Sequence, residues 1–264
     1  MRFASLGSGS EGNALVIETR QGAATTRVLL DCGFGRRECE RRLRRLGLGP
    51  EDLHAILITH EHADHVGAAV LGLAVRHRLP VYMTFGTALA CAVGTSLDPA
   101  LLRLIDSHRP FELQGLWVEP FPVPHDAREP VQYVLDDGRS RLGVLTDIGH
   151  RTELLSRTLA RLDALVLECN HDPALLAASS YPASLKRRIA GAYGHLGNAD
   201  AAAVLADIDR TRLGRVVAAH LSRTNNRPDL ARDALAAAVG ATAGEILVAD
   251  QDAGLDWQPV VRQA

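Results

Sequence analysis

Lysine is almost absent from this chain: Lys186 is the only one, and arginine supplies nearly all of the positive charge. Because alanine is also abundant, we interpret this bias as a property of the genome rather than as a functional signal. Acidic and basic residues nearly balance, giving a net charge of −2 at pH 7. The overall charge therefore gives no argument for a nucleic-acid partner.

Long apolar runs are missing as well. No segment approaches the ~20 apolar residues of a membrane-spanning helix, and the first residues, MRFASLGSGS, lack the apolar core of a secretory signal. The cysteines form neither a CxxC pair nor a zinc-finger spacing, which predicts reduced thiols. The four are Cys32, Cys39, Cys91 and Cys169. These absences predict a cytoplasmic protein with no membrane partner.

The chain has 264 residues, 47% of them hydrophobic, which is enough to bury a sizeable core. The sequence contains no visible internal repeat and no linker. We therefore predict one domain over residues 1–264. The sequence does not indicate an oligomeric state.

Apolar runs typical of strands alternate with patterns typical of helices. Strands are predicted at residues 2–6, 13–19, 26–30, 55–58, 81–84, 116–124, 131–137, 141–147, 164–167, 216–219, 245–249 and 255–260. Helices are predicted at residues 35–46, 66–77, 87–93, 152–162, 182–192, 198–208 and 228–239. The first helix, GRRECERRLRRL, is rich in arginine. Its arginines could contact a phosphate backbone, but a solvated helix face is the favoured interpretation.

The most informative stretch is AILITHEHADHVG, residues 55–67. A short apolar strand leads into a loop with His60, His62, Asp64 and His65, and a helix follows. Imidazole and carboxylate groups are the ligands that zinc or manganese prefers. The spacing lets His60 and His62 reach one ion while Asp64 and His65 turn to a second. A polar loop with chance histidines is a poor alternative, because four of six residues stand in ligand order.

Other metal-competent side chains stand at or close after the ends of predicted strands. In sheets covered by helices, active sites form where strand ends and their following loops meet. We therefore expect these residues to converge on the histidine-rich loop: Asp31, His125, Asp147, Glu168 and His220. A two-metal hydrolytic centre needs about seven protein ligands around ions ~3.5–4 Å apart, and the sequence supplies them.

We predict two divalent ions per chain, either Zn²⁺ or Mn²⁺. Three side chains are assigned to each ion: to the first His60, His62 and His125, and to the second Asp64, His65 and His220. Asp147 is predicted to bridge the ions, since a carboxylate has two oxygens to share. Asp31 is predicted to hold a histidine ligand in one tautomer.

The loop GSGSEG after the first strand allows two interpretations. Glycine supplies the positive φ that a hairpin connection needs. Alternatively, Ser8, Ser10 and Asn13 offer backbone N–H and hydroxyl groups to an anion. The loop by itself does not decide between them.

These motifs resemble those of the metallo-β-lactamase superfamily. THEHADH matches its HxHxDH signature, with Asp31 before it and with His125, Asp147 and His220 after it. The resemblance extends along nearly the whole chain. It implies an αββα sandwich, in which two packed mixed sheets carry helices on their outer faces.

Within that superfamily the chain resembles the bacterial YycJ/WalJ-like phosphohydrolases, a family described as DNA exonucleases. The resemblance is carried by SGSEGN, FPVPHDAREPV, ECNHD, YPASLKRRIAGAYGHLGN and AHLSRTNN. It implies hydrolysis of phosphodiester bonds in single-stranded DNA by a 5′-to-3′ exonuclease. Members commonly have serine where this chain has Gly197, so one hydroxyl is absent here.

The stretch from His195 to AHLS also resembles tRNA 3′-processing nucleases, in which a histidine at the matching place assists cleavage. This resemblance implies that His195 protonates the leaving oxygen or grips the phosphate, and a helix cap is the alternative. Asp64 is expected to accept a proton as well as to bind metal. Glu168 is expected to support His195 or a ligand, and His171 has no assigned role.

Two further functions stay open at this point. A thioesterase or lactonase could use the same metal centre on an acyl carbon, but it should have an apolar pocket and no need for His195. A metal-stabilised interaction domain fits less well, because the set of candidate ligands is complete.

Overall fold

The computed structural model describes residues 1–262 and contains two mixed β-sheets of seven strands each. Residues 263 and 264 of the predicted domain lie outside the described residues. The first sheet consists of β1 Arg2–Gly7, β2 Ala14–Gln21, β3 Ala24–Leu30, β4 Ala55–Leu57, β5 Val81–Thr84, β6 Leu102–Ile105 and β14 Leu255–Pro259. The second sheet consists of β7 Phe111–Leu113, β8 Leu116–Pro122, β9 Val131–Asp136, β10 Arg141–Leu145, β11 Ala164–Glu168, β12 Arg215–Ala219 and β13 Leu247–Val248.

The order of strands places a parallel set in each sheet. The first sheet has the order β14-β1-β2-β3-β4-β5-β6, and the second has the order β13-β12-β11-β10-β9-β8-β7. Strands β3 to β6 are parallel to one another, and so are β10 to β13. Because parallel strands end at the same edge of a sheet, the loops that follow them gather there.

Helices cover the outer faces of the sheets. Those in residues 1–262 are α1 Arg36–Arg45, α2 Ala68–His77, α3 Phe85–Ala90, α4 Ala92–Ser96, α5 Glu153–Thr158, α6 Pro173–Ala178, α7 Ala183–Ile189, α8 Asn198–Asp207 and α9 Pro228–Val239. Single 3₁₀ turns lie at Pro50–Asp52 and Ala243–Glu245. Within the described residues, none of the helices has the length and apolar character needed to span a membrane.

Three clusters of buried apolar side chains fill the spaces between the layers of the fold. The cluster between the sheets includes Phe3 of the first sheet and Tyr133 of the second. The other two clusters lie between each sheet and its helices. In β3, Val28 and Leu30 belong to the cluster between the sheets, whereas Leu29 packs toward the helices. Both faces of such a strand are buried, so its sequence is apolar throughout. The predicted αββα sandwich is confirmed.

Most predicted elements form within a few residues of their expected positions. Three short elements, β6, β7 and α6, were not predicted, because runs of three to six residues show no clear period. The helix predicted at residues 152–162 ends at Thr158. It cannot continue through Arg161, whose φ of 59° lies in the left-handed region.

The arginine-rich helix α1 differs from its prediction. Arg42 is buried, and its guanidinium donates hydrogen bonds to the carbonyls of Leu6 at 2.6 Å and Gln251 at 2.8 Å. The same group lies over the ring of Phe34, 4.2 Å from the centroid. Arg45 donates to the carbonyl of Ser5 at 2.7 Å. The expectation of a solvated face is therefore wrong for Arg42, which fastens α1 to the end of the first sheet.

Candidate active site

The residues predicted to form the site stand at or just after strand ends. Asp31 follows β3 directly, His220 follows β12 directly, and Asp147 comes two residues after β10. Glu168 is the last residue of β11, and His60 comes three residues after β4. Since these strands belong to the two parallel sets, their ends meet at one edge of the sandwich. The predicted convergence is observed.

Three of these residues have an unusual backbone conformation. Asp31, Asp147 and His220 adopt φ values of 57°, 54° and 54°, in the left-handed region. Aspartate and histidine enter this region more often than most residues, but it is sparsely populated and costs about 1–3 kcal/mol. At a strand end, this conformation turns the chain sharply before the following loop begins. All three residues therefore use the same backbone conformation at the end of a strand.

The three histidines assigned to the first ion lie together. One ring nitrogen each from His60, His62 and His125 falls within 4.8 Å of the others. His125 donates from Nδ1 to the carbonyl of Gly194 at 3.1 Å. That bond leaves Nε2 of His125 with its lone pair, 3.3 Å from Nδ1 of His62.

The residues assigned to the second ion form an adjoining cluster. One ligand atom each from Asp64, His65 and His220 lies within 4.8 Å of the others. Asp147 lies between the clusters, because its Oδ2 is 2.9 Å from Nε2 of His65 and its Oδ1 is 3.9 Å from Nε2 of His125. A carboxylate in this position can reach both clusters at once.

Asp31 orients two of the histidines. Its Oδ2 accepts hydrogen bonds at 2.8 Å from Nδ1 of His65 and from the hydroxyl of Thr59. The Thr59 oxygen lies 2.9 Å from Nδ1 of His60 and can accept from it. Both imidazoles therefore use Nδ1 for these contacts and turn Nε2 toward the cleft. Sequence analysis missed Thr59, although its position directly before His60 was a usable signal.

The donor atoms fit divalent cations. Nε2 of His60 is buried and has no hydrogen-bond partner within the described residues. Oδ2 of Asp147 is also buried and has no aligned hydrogen bond there, although Nε2 of His65 lies 2.9 Å from it. Buried polar atoms without partners are costly, so their convergence indicates a missing partner that carries positive charge. Imidazole nitrogen and carboxylate oxygen suit Zn²⁺ or Mn²⁺.

The protonation of the site follows from the same charges. Burial lowers the pKa of His220, but the charge of Asp147 and bonds to Asp64 and Glu168 outweigh it and raise the pKa to about 10. Burial raises the pKa of Asp147, but His220 and His65 bring it well below its usual value. A cation would compete with the protons on these histidines, so metal uptake should release protons.

Glu168 holds two histidines at the cleft. Its Oε1 lies 2.8 Å from Nδ1 of His195 and 3.2 Å from Nδ1 of His220, and its Oε2 accepts from the backbone N–H groups of Ile148 and Leu196. Burial lowers the pKa of His195, but the charge of Glu168 outweighs burial and raises it. Glu168 thus contacts both His195 and a candidate ligand, His220, whereas the sequence expectation was for His195 or a ligand.

The glycine-rich loop contributes one residue to the centre. The Asn13 amide nitrogen lies 3.1 Å from Nε2 of His65 and 3.4 Å from Oδ2 of Asp64. Ser10 is exposed at the rim of the cleft. His171 is buried beside Gly197, where an added Cβ would lie 3.3 Å from its Nε2. A side chain at position 197 would therefore begin beside His171.

The centre opens into a cleft of about 390 Å³. Sequence analysis missed several of its lining residues: Asp126, Asn170, Tyr181, Leu185, Ile189, Ser222 and Asn225. Asp126 accepts a hydrogen bond from Nε of Arg188 at 2.5 Å, and its other oxygen lies 3.6 Å from Nε2 of His125. The position of Asp126 directly after His125 could have indicated it.

Comparisons with known proteins identify the class to which this fold and site belong. The sequence model described as "Beta-lactamase superfamily domain" matches residues 26–221. The YhfI metallo-β-lactamase fold protein from Bacillus subtilis superposes with a TM-score of 0.72 at 16% identity, over 97% of this chain and 98% of that one. Human short-form tRNase Z gives a TM-score of 0.66 at 18% identity, over 98% and 99%. At these identities the two structures establish the fold alone.

Sequence relatives narrow the assignment. "Exodeoxyribonuclease YycJ" of Bacillus anthracis is 35% identical over 234 residues, 88% of this chain and 86% of that protein. "Exodeoxyribonuclease WalJ" of Streptococcus pneumoniae serotype 2 is 30% identical over 261 residues, 97% of this chain and 92% of that protein. The chain belongs to the metallo-β-lactamase superfamily and, within it, to the YycJ/WalJ family. It is a hydrolytic enzyme whose fold implies binding of divalent metal.

Proposed function

We propose that this enzyme is a dinuclear metal-dependent phosphodiesterase that degrades single-stranded DNA from the 5′ end. The observation that carries the proposal is the position of His195, which borders the same cleft as the metal-competent clusters and is held through Nδ1 by Glu168. The names of the YycJ and WalJ relatives support DNA as the substrate.

The proposed ligands are the seven side chains in the two clusters and between them. His60, His62 and His125 would hold one ion, and Asp64, His65 and His220 the other, while Asp147 would bridge the two. Two divalent ions at such a site lower the pKa of a water molecule and offset negative charge on the phosphoryl oxygens. Asp31 and Thr59 occupy Nδ1 of His65 and of His60, so that Nε2 of each imidazole would face an ion.

Proton transfers are assigned to two side chains. The Asp64 carboxylate borders the cleft and would accept the proton of the attacking water. His195 would donate the proton on its Nε2 to the departing oxygen, because its Nδ1 is occupied by Glu168. A helix cap, the alternative role for His195, would need no such contact with Glu168.

Contacts with the DNA backbone should be few. Arg223 is proposed as one phosphate contact, and its guanidinium is already paired with Asp252 at 2.6 Å and Glu11 at 3.3 Å. Arg188 is paired with Asp126. We therefore expect binding of single-stranded DNA to weaken with added salt by a shallow slope that corresponds to only a few phosphate contacts.

We further propose that residues 1–264 form one domain; the pairing of β14 with β1, which joins Leu255–Pro259 and Arg2–Gly7 in one sheet, supports this. The cysteine pattern noted in the sequence supports a cytoplasmic location.

The test compares three substrates under the same conditions, with added Mn²⁺ or Zn²⁺ and with a chelator as control. They are a 5′-phosphorylated single-stranded oligonucleotide, a thioester and a lactone. The proposal expects metal-dependent shortening of the oligonucleotide from its 5′ end. Turnover confined to the thioester or lactone would replace it with acyl hydrolysis, and metal-dependent turnover of none would favour a binding domain.

A further inference from the structure

The lining of the cleft is of two kinds. The apolar wall consists of Tyr181, Leu185 and Ile189. Leu185 and Ile189 are four residues apart and share one face of α7, and Tyr181 lies two residues before that helix. Hydroxyl and amide groups line the cleft as well, including Asn170, Ser222 and Asn225, together with metal-competent residues.

The apolar wall does not belong to the core of the protein. None of the residues of α7 is buried, so Leu185 and Ile189 do not anchor the helix in the way that core residues do. The ion pair between Arg188 and Asp126 ties α7 to the residue that follows His125. An apolar stripe that is left half-exposed over a cleft is positioned to contact what enters the cleft.

The polar part of the lining contains a group that lacks a partner. Asn225 is 0% exposed and borders the cleft, yet its Oδ1 has no hydrogen-bond partner within the described residues. Its amide nitrogen and its backbone N–H both lie near the hydroxyl of Ser222. Turning the amide by half a rotation would exchange its oxygen and nitrogen, so the unpaired group is an acceptor or a donor. In either case it requires a polar partner.

We propose that this cleft is a nucleobase-binding subsite. This inference rests on the proposed nuclease function and adds to it that the protein binds the base of the substrate. The flat face of a base packs against Tyr181 and Leu185. The edge of the base, which has both N–H and acceptor groups, meets the end of the Asn225 amide that lacks a partner. An acyl chain would fill the apolar side but would leave that end of the amide without a partner.

The same arrangement would select single strands. A base in a duplex is stacked on its neighbours and paired along its edge, so it cannot offer its face to α7 and its edge to Asn225. Every base has an apolar face and polar groups on its edge, and stacking of this kind is tolerant of sequence. The subsite therefore favours an unpaired nucleotide without favouring a particular base.

The test measures equilibrium binding of two single strands of equal charge. One is a four-residue thymidine strand, and the other is a four-residue strand of abasic deoxyribose phosphate units. We expect the wild-type protein to bind the thymidine strand roughly 5- to 150-fold more tightly, the range expected for stacking of one base. Tyr181→Ala and Leu185→Ala should each reduce this ratio.

A matched control is Trp117→Ala, because Trp117 is an exposed aromatic residue at the end of β8 remote from His125. This variant should keep the ratio of the wild type. Equal affinity of the wild-type protein for the two strands, or an unchanged ratio in both Tyr181→Ala and Leu185→Ala, would overturn the subsite while leaving DNA hydrolysis intact. A selective ratio in a protein that hydrolyses no DNA would support the subsite and overturn the exonuclease proposal.

Discussion

Nδ1 of His195 lies 2.8 Å from Oε1 of Glu168, a carboxylate that is fully buried at the end of β11. Burial raises the pKa of Glu168, but the charge of His195 and its hydrogen bond lower it to about 2. The carboxylate is therefore ionised and fixes the tautomer of the imidazole. A histidine that only caps a helix would not need this contact with Glu168, so the pair favours proton donation by His195. The first prediction tests that role.

Replacing His195 by alanine should remove the leaving-group acid. We expect cleavage of a single-stranded oligonucleotide to fall about 100- to 10,000-fold. Bis-p-nitrophenyl phosphate has an activated leaving group that needs little protonation, so its loss of rate should be far smaller. The control is His150→Ala, which removes an exposed imidazole that lies outside the cleft and bonds to the Ala192 carbonyl. Equal losses on the two substrates would contradict the role in protonation.

Replacing Asp147 should be more damaging than replacing Asp31. Asp147→Ala would remove the carboxylate that reaches both clusters, whereas Asp31→Ala would leave the ligands in place but loosen the orientation of His65. We expect a loss of about 10- to 100-fold for Asp31→Ala and no measurable activity for Asp147→Ala. Equal residual rates in the two variants, measured at saturating Mn²⁺, would contradict this division of roles.

Removal of the metal should change both the metal content and the thermal stability of the protein. Elemental analysis after reconstitution should find two divalent ions per chain, and the melting temperature should fall after chelation, since a ligand bound only to the folded state stabilises it. His60→Ala should lower the stoichiometry, whereas His108→Ala, at an exposed position, should not. A stoichiometry of zero after reconstitution with Mn²⁺ and Zn²⁺ would remove the proposed centre.

Arg42 should be far more important for stability than its neighbours on α1. Arg42→Met would leave the buried carbonyls of Leu6 and Gln251 without donors and would remove the contact with Phe34. We expect the free energy of unfolding in urea to fall by about 2–4 kcal/mol. Arg44→Ala, at an exposed position of the same helix, should change it by less than about 0.5 kcal/mol. Similar losses in the two variants would show that α1 is not fastened through Arg42.

Lowering the pH should reveal how much Glu18 contributes to the stability of the fold. Glu18 is a buried carboxylate that lies 2.8 Å from Nε of both Arg2 and Arg27. Burial raises the pKa of Glu18, but the bonds and charges of the two arginines outweigh burial and bring it below its usual 4.5. Because the folded pKa lies below the unfolded one, this stabilisation is complete above about pH 4.5 and is lost as the pH falls through the folded value.

The measurement for Glu18 is urea unfolding of the wild type and Glu18→Gln between pH 7 and pH 3. The wild type should be more stable near neutral pH, and the difference should shrink as the pH falls below about 4.5. Glu153→Gln, at an exposed position on α5, controls for the loss of one negative charge. A difference that grows in acid would contradict the sign of the shift.

Sequence patterns predicted the sandwich and the grouping of the candidate ligands for a clear physical reason. The metal-competent side chains follow apolar strands, and parallel strands place their ends at one edge of a sheet, so His60 and His220 could be expected to meet although 160 residues separate them along the chain. Assignment of these residues to individual ions remains a prediction.

Other features depended on tertiary contacts that local patterns do not encode. Arg42 looked like any other arginine in GRRECERRLRRL. Its side chain is buried through contacts with residues distant in sequence, such as Gln251. The contact between Asp126 and Arg188 joins residues 62 positions apart. The unpaired amide of Asn225 gave no signal in AHLSRTNN, since burial and missing partners are properties of the folded cleft.

The left-handed backbone at Asp31, Asp147 and His220 has a consequence for how this enzyme could evolve. Glycine adopts such φ values without strain, so a change to glycine at any of the three would relax the backbone while removing a group from the centre. Substitutions that relieve the backbone strain in this way would thus inactivate the enzyme. Retaining three strained residues in one centre requires continued selection for turnover, and a lineage released from that selection should lose the centre before it loses the sandwich.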